Sequence, residues 1–217
     1  MKKIDKLYQY RFSKADKIKK NKIWRILCNS YFQKFIDPNF SVLDVGAGYG
    51  EFINNIKAQQ KFAIDLNPDT KKNLNNNIIF YLQDASNMNL IKTNTMDLVF
   101  VSNFFEHLPS KTIIDKVLVE VHRILKPNGL FLMMQPNIRY EPNRYWDYYD
   151  HIIPLSHLSL REAVLKANFK VIKIIPKFLP FSTDSKLPKF NFLIWLYLKL
   201  PILWFFFGKQ CLLILRK

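Results

Sequence analysis

The chain has almost no cysteine: Cys28 and Cys211 are the only two in 217 residues, and they stand far apart with no C-x-x-C pair. That excludes a disulfide framework, a cysteine-based zinc site and a thioredoxin-type motif. An apolar leader is missing as well. Residues 1–22 are basic and polar, without the hydrophobic stretch of a secretory signal, so a cytoplasmic protein is the expectation. Internal repeats and low-complexity linkers are absent, and 49% hydrophobic with 23% charged positions is ordinary globular composition. One domain of this length buries roughly 70% of the surface its unfolded chain exposes, so no structural metal is needed and no metal is expected.

Acidic side chains are also in short supply. Seventeen Asp and Glu face 33 Lys and Arg, a formal net charge of +16. Such an excess suggests nucleic acid or an anionic membrane as partner. The lysines, however, are spread along the chain among asparagines, as at Lys71, Lys72, Asn73, Asn75, Asn76 and Asn77, which reads as a solvated surface. Only Lys14, Lys17, Lys19, Lys20 and Lys22 are locally dense, and that spacing also suits the wet face of a helix.

What is present is an alternation of strands and helices. Between 13 and 36, Ile18, Ile23, Ile26, Leu27, Tyr31 and Phe35 recur at three- and four-residue steps, a helical spacing ended by Asp37-Pro38. Apolar runs at 40–45, 62–65, 78–82, 97–101 and 130–134 read as five strands. Helical material falls at 51–57 and at 110–125, the latter stopped by Lys126-Pro127-Asn128-Gly129. Residues 160–167 read as a helix, and 169–175 and 210–215 as two further strands. This order implies an α/β fold whose parallel sheet is covered on both faces.

In Val42-Leu43-Asp44-Val45-Gly46-Ala47-Gly48-Tyr49-Gly50-Glu51 a buried strand runs into a turn with glycine at alternate positions, where bare backbone lets a ligand approach closely. Strand ends are where open α/β sheets bind ligands. A dinucleotide-binding G-x-G-x-x-G would need glycine at position 51, which is Glu51. Asp44 lies inside this strand, and Asp65 closes the next one, placed to accept hydrogen bonds from ribose hydroxyls.

These segments resemble the class I S-adenosylmethionine-dependent methyltransferases, particularly the broad bacterial group acting on small molecules and glycan precursors, over most of 42–169. The loop with Asp44, Gly46, Ala47, Gly48 and Gly50 looks like the family's first motif, which packs against the methionine part of the cofactor. Ala63-Ile64-Asp65-Leu66-Asn67-Pro68 resembles the ribose-binding second strand. Gln83-Asp84-Ala85 is similar to the adenine-reading segment, with Asp84 as partner of the amino group. The run from Asp97 to Leu108 looks like the fourth-strand motif, with Ser102 and Asn103 beside the cofactor, and Leu125-Lys126-Pro127-Asn128-Gly129-Leu130 looks like the turn entering the fifth strand. Singly each has a structural alternative, since Asp44 could cap a turn and Asp84 a helix; the ordered set carries the signal. The resemblance implies a Rossmann-like α/β fold: a seven-stranded, mostly parallel sheet with helices on both faces and an antiparallel last strand. It implies S-adenosyl-L-methionine as cofactor and methyl transfer as activity. It divides the chain into an N-terminal helical cap (1–39), the cofactor-binding domain (40–177 and 209–217) and an apolar insertion (178–208).

Methyl transfer to a hydroxyl needs a base. The loop Tyr145-Trp146-Asp147-Tyr148-Tyr149-Asp150-His151-Ile152-Ile153-Pro154-Leu155-Ser156-His157 follows the fifth strand with two histidines, two aspartates and four aromatics, suited to a sugar ring or flat acceptor. Imidazole titrates in the right range for a general base. His151 and His157 are the candidates, with His107 beside Glu106 at the fourth-strand exit as a third. A buried structural histidine is the alternative for each, and Ser156-His157 also reads as a helix entry. Base-amino methyltransferases usually carry Asn or Asp followed by two prolines and an aromatic; Ser102-Asn103-Phe104-Phe105 lacks the prolines, so no nucleic-acid partner is expected. A catalytically silent, membrane-associated scaffold on the same fold is the other alternative.

The run 190–207 is apolar but short of the ~20 residues of a membrane span, and it holds Lys199 and Pro201 near its middle. A crossing would also strand 210–215 on the wrong side of the bilayer. Two short helices broken at Pro201 are expected, either lying in a membrane interface or buried over the acceptor pocket or a second subunit. Trp195, Tyr197 and Trp204, with Lys186, Lys189, Lys199 and Lys209, suit an anionic interface. Phe178-Leu179-Pro180-Phe181-Ser182, Lys186-Leu187-Pro188 and Gly208-Lys209-Gln210 look like the tail of methyltransferases of bacterial cell-surface polysaccharide synthesis. That resemblance implies a sugar hydroxyl as acceptor and a cytoplasmic protein peripheral to the inner face of the membrane.

Overall fold

The computed structural model describes residues 14–181 and 191–217; residues 1–13, and Ser182, Lys186, Leu187, Pro188, Lys189 and Phe190 of the C-terminal motifs, lie outside the described residues. Seven strands, β1 (Ser41–Val45), β2 (Gln60–Asp65), β3 (Ile78–Leu82), β4 (Met96–Ser102), β5 (Leu125–Pro136), β6 (Lys170–Leu179) and β7 (Gln210–Arg216), form one sheet in the order β3-β2-β1-β4-β5-β7-β6. β1 to β5 are parallel, and β7 runs antiparallel between β5 and β6. This is the Rossmann-like arrangement expected above. The order reverses at β1: the chain steps outward to β2 and β3, then returns to β4 on the other side of β1. Val45 pairs with Val101, so the loops leaving β1 and β4 open side by side, at the switch point where such sheets hold ligands.

The alternating side chains of the central strands feed two cores. Leu43, Val45, Val99, Val101, Phe131 and Met133 pack under α2 (Lys111–Ile124) and α4 (His157–Lys166). Val42, Phe100, Leu132 and Leu212 face the other way, toward α1 (Lys14–Ser30), α5 (Asn191–Lys199) and α6 (Pro201–Phe207). α2 shows the logic of these helices. Ser110 caps its start by accepting from the Ile113 N–H, and Ile114, Val117, Leu118, Val121 and Ile124 form its buried stripe. It ends two residues short of Pro127, because the residue before a proline is pushed out of helical backbone. α3 (Pro142–Tyr145) is a single turn.

Residues 51–57 do not form the expected helix; they are a chain of turns. The asparagines are the cause. The Asn55 side chain donates to the Glu51 carbonyl, the acceptor a helix would reserve for the Asn55 N–H, while Asn54 is drawn outward to Asn73 and Asn75. α4 begins at His157, three residues earlier than read, because Ser156 and Ser159 exchange capping hydrogen bonds.

The apolar stretch does form two helices that meet at Pro201. One side is buried: Trp204 is 8% exposed and donates to the Tyr197 carbonyl, and the Tyr197 hydroxyl donates to the Phe178 carbonyl. Of the three aromatics expected at an interface, only Trp195 is exposed, because Trp204 and Tyr197 turn inward against Tyr31 and Phe178. The opposite side leaves Phe192, Ile202, Phe205 and Phe206 each more than 60% exposed. Among the described residues, no helix is long and apolar enough to cross a membrane.

Candidate active site

A cleft of about 1780 Å³ runs along the strand ends. Pockets for a single small ligand run to roughly 300–1,000 Å³, so the cleft has room for two. Its floor is the glycine loop. Gly46 and Gly48 both sit at positive φ, +68° and +54°, which non-glycine residues adopt only at a cost. At Gly48 an added Cβ would meet nothing closer than the Gly46 carbonyl at 4.0 Å, so that position faces open cleft. At Gly46 it would lie 2.5 Å from the Phe104 ring, which roofs the loop.

Four carboxyl groups surround this floor. Asp65 accepts from the Gly48 N–H at 2.8 Å with one oxygen and from the Asn67 N–H at 2.8 Å with the other, tying the end of β2 to the loop after β1. A carboxylate offers about four acceptor sites, so it retains capacity toward a ligand. Asp44 is 4% exposed, and burial, with Glu51 and Asp65 nearby, raises its pKa well above the usual carboxylate range. Glu51 pairs with Lys20 of α1 at 2.8 Å. Asp84 stands at the exit of β3, with one oxygen accepting from the Ser86 N–H. The cradle is therefore bare backbone ringed by hydrogen-bonding carboxyl groups, and it fits a ligand bearing hydroxyl and ammonium groups.

Across the cleft, Glu106, His107 and His151 come together. The Ile152 and Ile153 N–H groups both donate to the Glu106 carbonyl, at 2.8 and 3.2 Å, and this clamp brings the loop after β5 to the exit of β4. The His107 and His151 rings lie edge to face, 5.1 Å apart, and His151 stacks on Tyr148. His107 Nδ1 is 3.0 Å from the Asp150 carbonyl. A carbonyl only accepts, so this contact selects the tautomer with the proton on Nδ1 and the lone pair on Nε2. Nε2 in turn lies 3.7 Å from Glu106 Oε1. Glu106 is 1% exposed, and burial pushes its carboxyl up to about 7, with His107 opposing and Asp150 adding to the rise.

Of the residues singled out from sequence, Asp44, Gly46, Ala47, Gly48, Asp65, Leu66, Asp84, Ala85, Ser102, Asn103, His107 and His151 all line this cleft. Gly50 does not; its positive φ shapes the turn, where a Cβ would strike Leu74 and Asn54. His157 does not either. It is buried at the head of α4, with Nδ1 2.9 Å from Asn137 and its ring stacked on Tyr140, the structural alternative named above. Tyr145 is likewise interior, its hydroxyl donating to the Ile153 carbonyl. Sequence reading missed Lys20 and Trp24, which α1 lays over the glycine-loop end of the cleft. The Lys14–Lys22 cluster had signalled only a wet helix face; Lys19 and Lys22 are indeed exposed, but Lys20 turns in.

The sequence profile of the methyltransferase-domain family matches residues 4–174, and the chain belongs to that family. By that family it is an S-adenosylmethionine-dependent methyltransferase, with S-adenosyl-L-methionine as its cofactor. A methyltransferase of this kind from Archaeoglobus fulgidus is 19% identical over 91% of this chain and 94% of its own, with a TM-score of 0.68. A Haloferax volcanii protein solved in complex with the Trm112 methyltransferase activator is 17% identical over 93% of each chain, with a TM-score of 0.66. A Thermotoga maritima methyltransferase described as a possible histamine N-methyltransferase is 17% identical over 90% of this chain and 91% of its own, with a TM-score of 0.63. At such identities the likeness establishes the fold alone. No curated protein matches the chain by sequence.

Proposed function

We propose that the enzyme methylates a hydroxyl of a small-molecule or glycan acceptor, such as a cell-surface polysaccharide precursor, held between the glycine loop and the Glu106–His107–His151 cluster. The observation that carries this reading is that two imidazoles line the same cleft as the cofactor cradle. Asp65 would receive the ribose hydroxyls, Asp84 the adenine amino group, and the loop from Gly46 to Gly48 the methionine end, with Ser102 and Asn103 closing the wall. The cofactor supplies a methyl group on sulfonium sulfur, an electrophile that needs only in-line approach. The chain then has a proton to move: the acceptor O–H gives it to an imidazole nitrogen, the oxygen lone pair forms the new C–O bond, and the S–C electron pair stays on sulfur. His107 is held ready for this by Asp150, and His151 by the Glu106 clamp and the Tyr148 face. Tyr148, Tyr149 and Phe181 give the acceptor end aromatic walls suited to a sugar ring.

Asp65→Ala removes a charged acceptor worth about 1.5–3 kcal/mol, so cofactor affinity should fall roughly 10- to 100-fold. Calorimetry on the folded variant checks this; wild-type affinity would contradict the ribose role. For the acceptor, tritiated cofactor should label a glycan-containing fraction of cell-envelope extract, and labelling confined to nucleic acid would contradict the reading.

Membrane association belongs to the same proposal. The exposed face of α5 and α6 is rimmed with cations: Lys173 and Lys199 lie close enough to Lys34 to lower its pKa, secondary to burial, and the Lys177 ammonium sits 4.5 Å from the Phe205 ring centre. Apolar insertion beside lysines, each adding about 1 kcal/mol near an anionic surface, describes an interfacial helix pair. Trp195→Asp with Phe205→Asp should release the protein from anionic vesicles in flotation while the melting temperature holds. Wild-type protein that fails to float with anionic vesicles would contradict it.

A further inference from the structure

We propose that Glu106, His107 and His151 form a site for a divalent first-row transition-metal ion, with the acceptor's hydroxyl as a further ligand. The inference rests on the reading of the cleft as the acceptor site, and it changes how the hydroxyl is made acidic.

Each of the three residues offers a ligand atom, and these atoms lie within 4.8 Å of one another. Metal–ligand bonds of about 2.0–2.2 Å put neighbouring donors roughly 3.3 Å apart, so small side-chain rotations would close the set. Two further observations point to a cation. The first is Glu106 itself: it is buried, neither of its carboxylate oxygens has a hydrogen-bond partner among the described residues, and its one ion-pair contact there is to His107 at 3.7 Å. Such a group is costly when ionised, and a cation beside it offsets that cost. The second is the orientation of His107. Its Nδ1–H points at the Asp150 carbonyl, the outer contact that metal-ligating histidines usually make, and this leaves the Nε2 lone pair on the Glu106 side.

Two imidazoles and one carboxylate suit zinc, iron or manganese in their divalent states better than magnesium or calcium, which prefer oxygen. Three protein ligands leave open positions facing the cleft. A hydroxyl bound there loses its proton to solvent, the ion stabilises the resulting alkoxide, and the alkoxide attacks the methyl carbon as before. The imidazoles then act as ligands, not as proton acceptors.

Cobalt(II) is the probe. Full-length protein stripped with chelator and titrated with Co²⁺ alone should develop visible d–d absorption saturating at one equivalent. His151→Ala and the isosteric Glu106→Gln should each weaken that binding at least about 10-fold. Of the four histidines, His122 lies on α2 outside the cleft, so His122→Gln should leave the titration unchanged. No absorption change with millimolar Co²⁺, or a signal kept in Glu106→Gln and lost in His122→Gln, would overturn the site. Cofactor binding and methyl transfer measured on the same stripped samples separate the two readings. Full transfer without metal overturns the ion and leaves the methyltransferase assignment standing. Stoichiometric Co²⁺ binding with no transfer to any hydroxyl supports the ion and counts against the acceptor proposed.

Discussion

Gly46→Val is expected to abolish measurable S-adenosylmethionine binding and to lower the melting temperature. A branched side chain at φ +68° is strained, and its Cβ would sit 2.5 Å from the Phe104 ring, which must then leave its place over the loop. Gly48→Ala separates the two consequences. Its Cβ has open space, so the fold loses only the backbone strain of about 1 kcal/mol, or roughly 2–4 °C for a chain of this size. The methyl group enters the cradle, however, and an overlap of about 1–3 kcal/mol there weakens the cofactor roughly 10- to 100-fold. Calorimetry beside thermal melting reads both quantities. A Gly48→Ala protein with wild-type affinity would place the cofactor somewhere other than this loop.

The other large effect is on turnover. His107→Ala and His151→Ala should each lower kcat by about 100- to 10,000-fold, the scale of losing help in removing the hydroxyl proton, whether the imidazole takes it or holds the ion that acidifies it, with cofactor affinity nearly intact. His157→Asn is the comparison: it removes an imidazole that does not line the cleft, so it should lower the melting temperature more than the turnover of the folded fraction. Turnover untouched in both cleft variants would leave positioning alone to account for catalysis.

The glycine-loop half of the cleft was legible because its geometry is local. Gly46, Gly48, Asp65 and Asp84 are each read from a few residues around one strand end, and β1 to β4 follow in the order those segments require. The half around Glu106 was less so because it is made by a long-range contact. Nothing adjacent in sequence says that Ile152 and Ile153 will donate to the Glu106 carbonyl, and without that clamp His151 and His157 look equivalent. The fold distinguishes them: one faces the cleft, and the other fills a core position beside Asn137. The missing helix at 51–57 has a similar origin. Its apolar spacing is helical, but Asn54 and Asn55 carry amides whose partners, at Asn73, Asn75 and Glu51, are fixed only when β2 and the turns beyond it are in place. Interface and burial both stayed open for Trp204 because aromatic composition cannot tell the two faces of a short helix apart; packing against Tyr31 and Phe178 turns it inward.

The central claim, that the cleft carries a methyl group from the glycine loop to a hydroxyl at the Glu106–His107–His151 cluster, reduces to the bond that is made. The direct measurement is carbon NMR of the product formed from ¹³C-methyl-labelled S-adenosylmethionine and envelope extract, with His151→Ala run in parallel. The expected result is a single methyl-ether resonance that depends on His151. A methylamine resonance, or a methyl ether formed equally well by the variant, would contradict it.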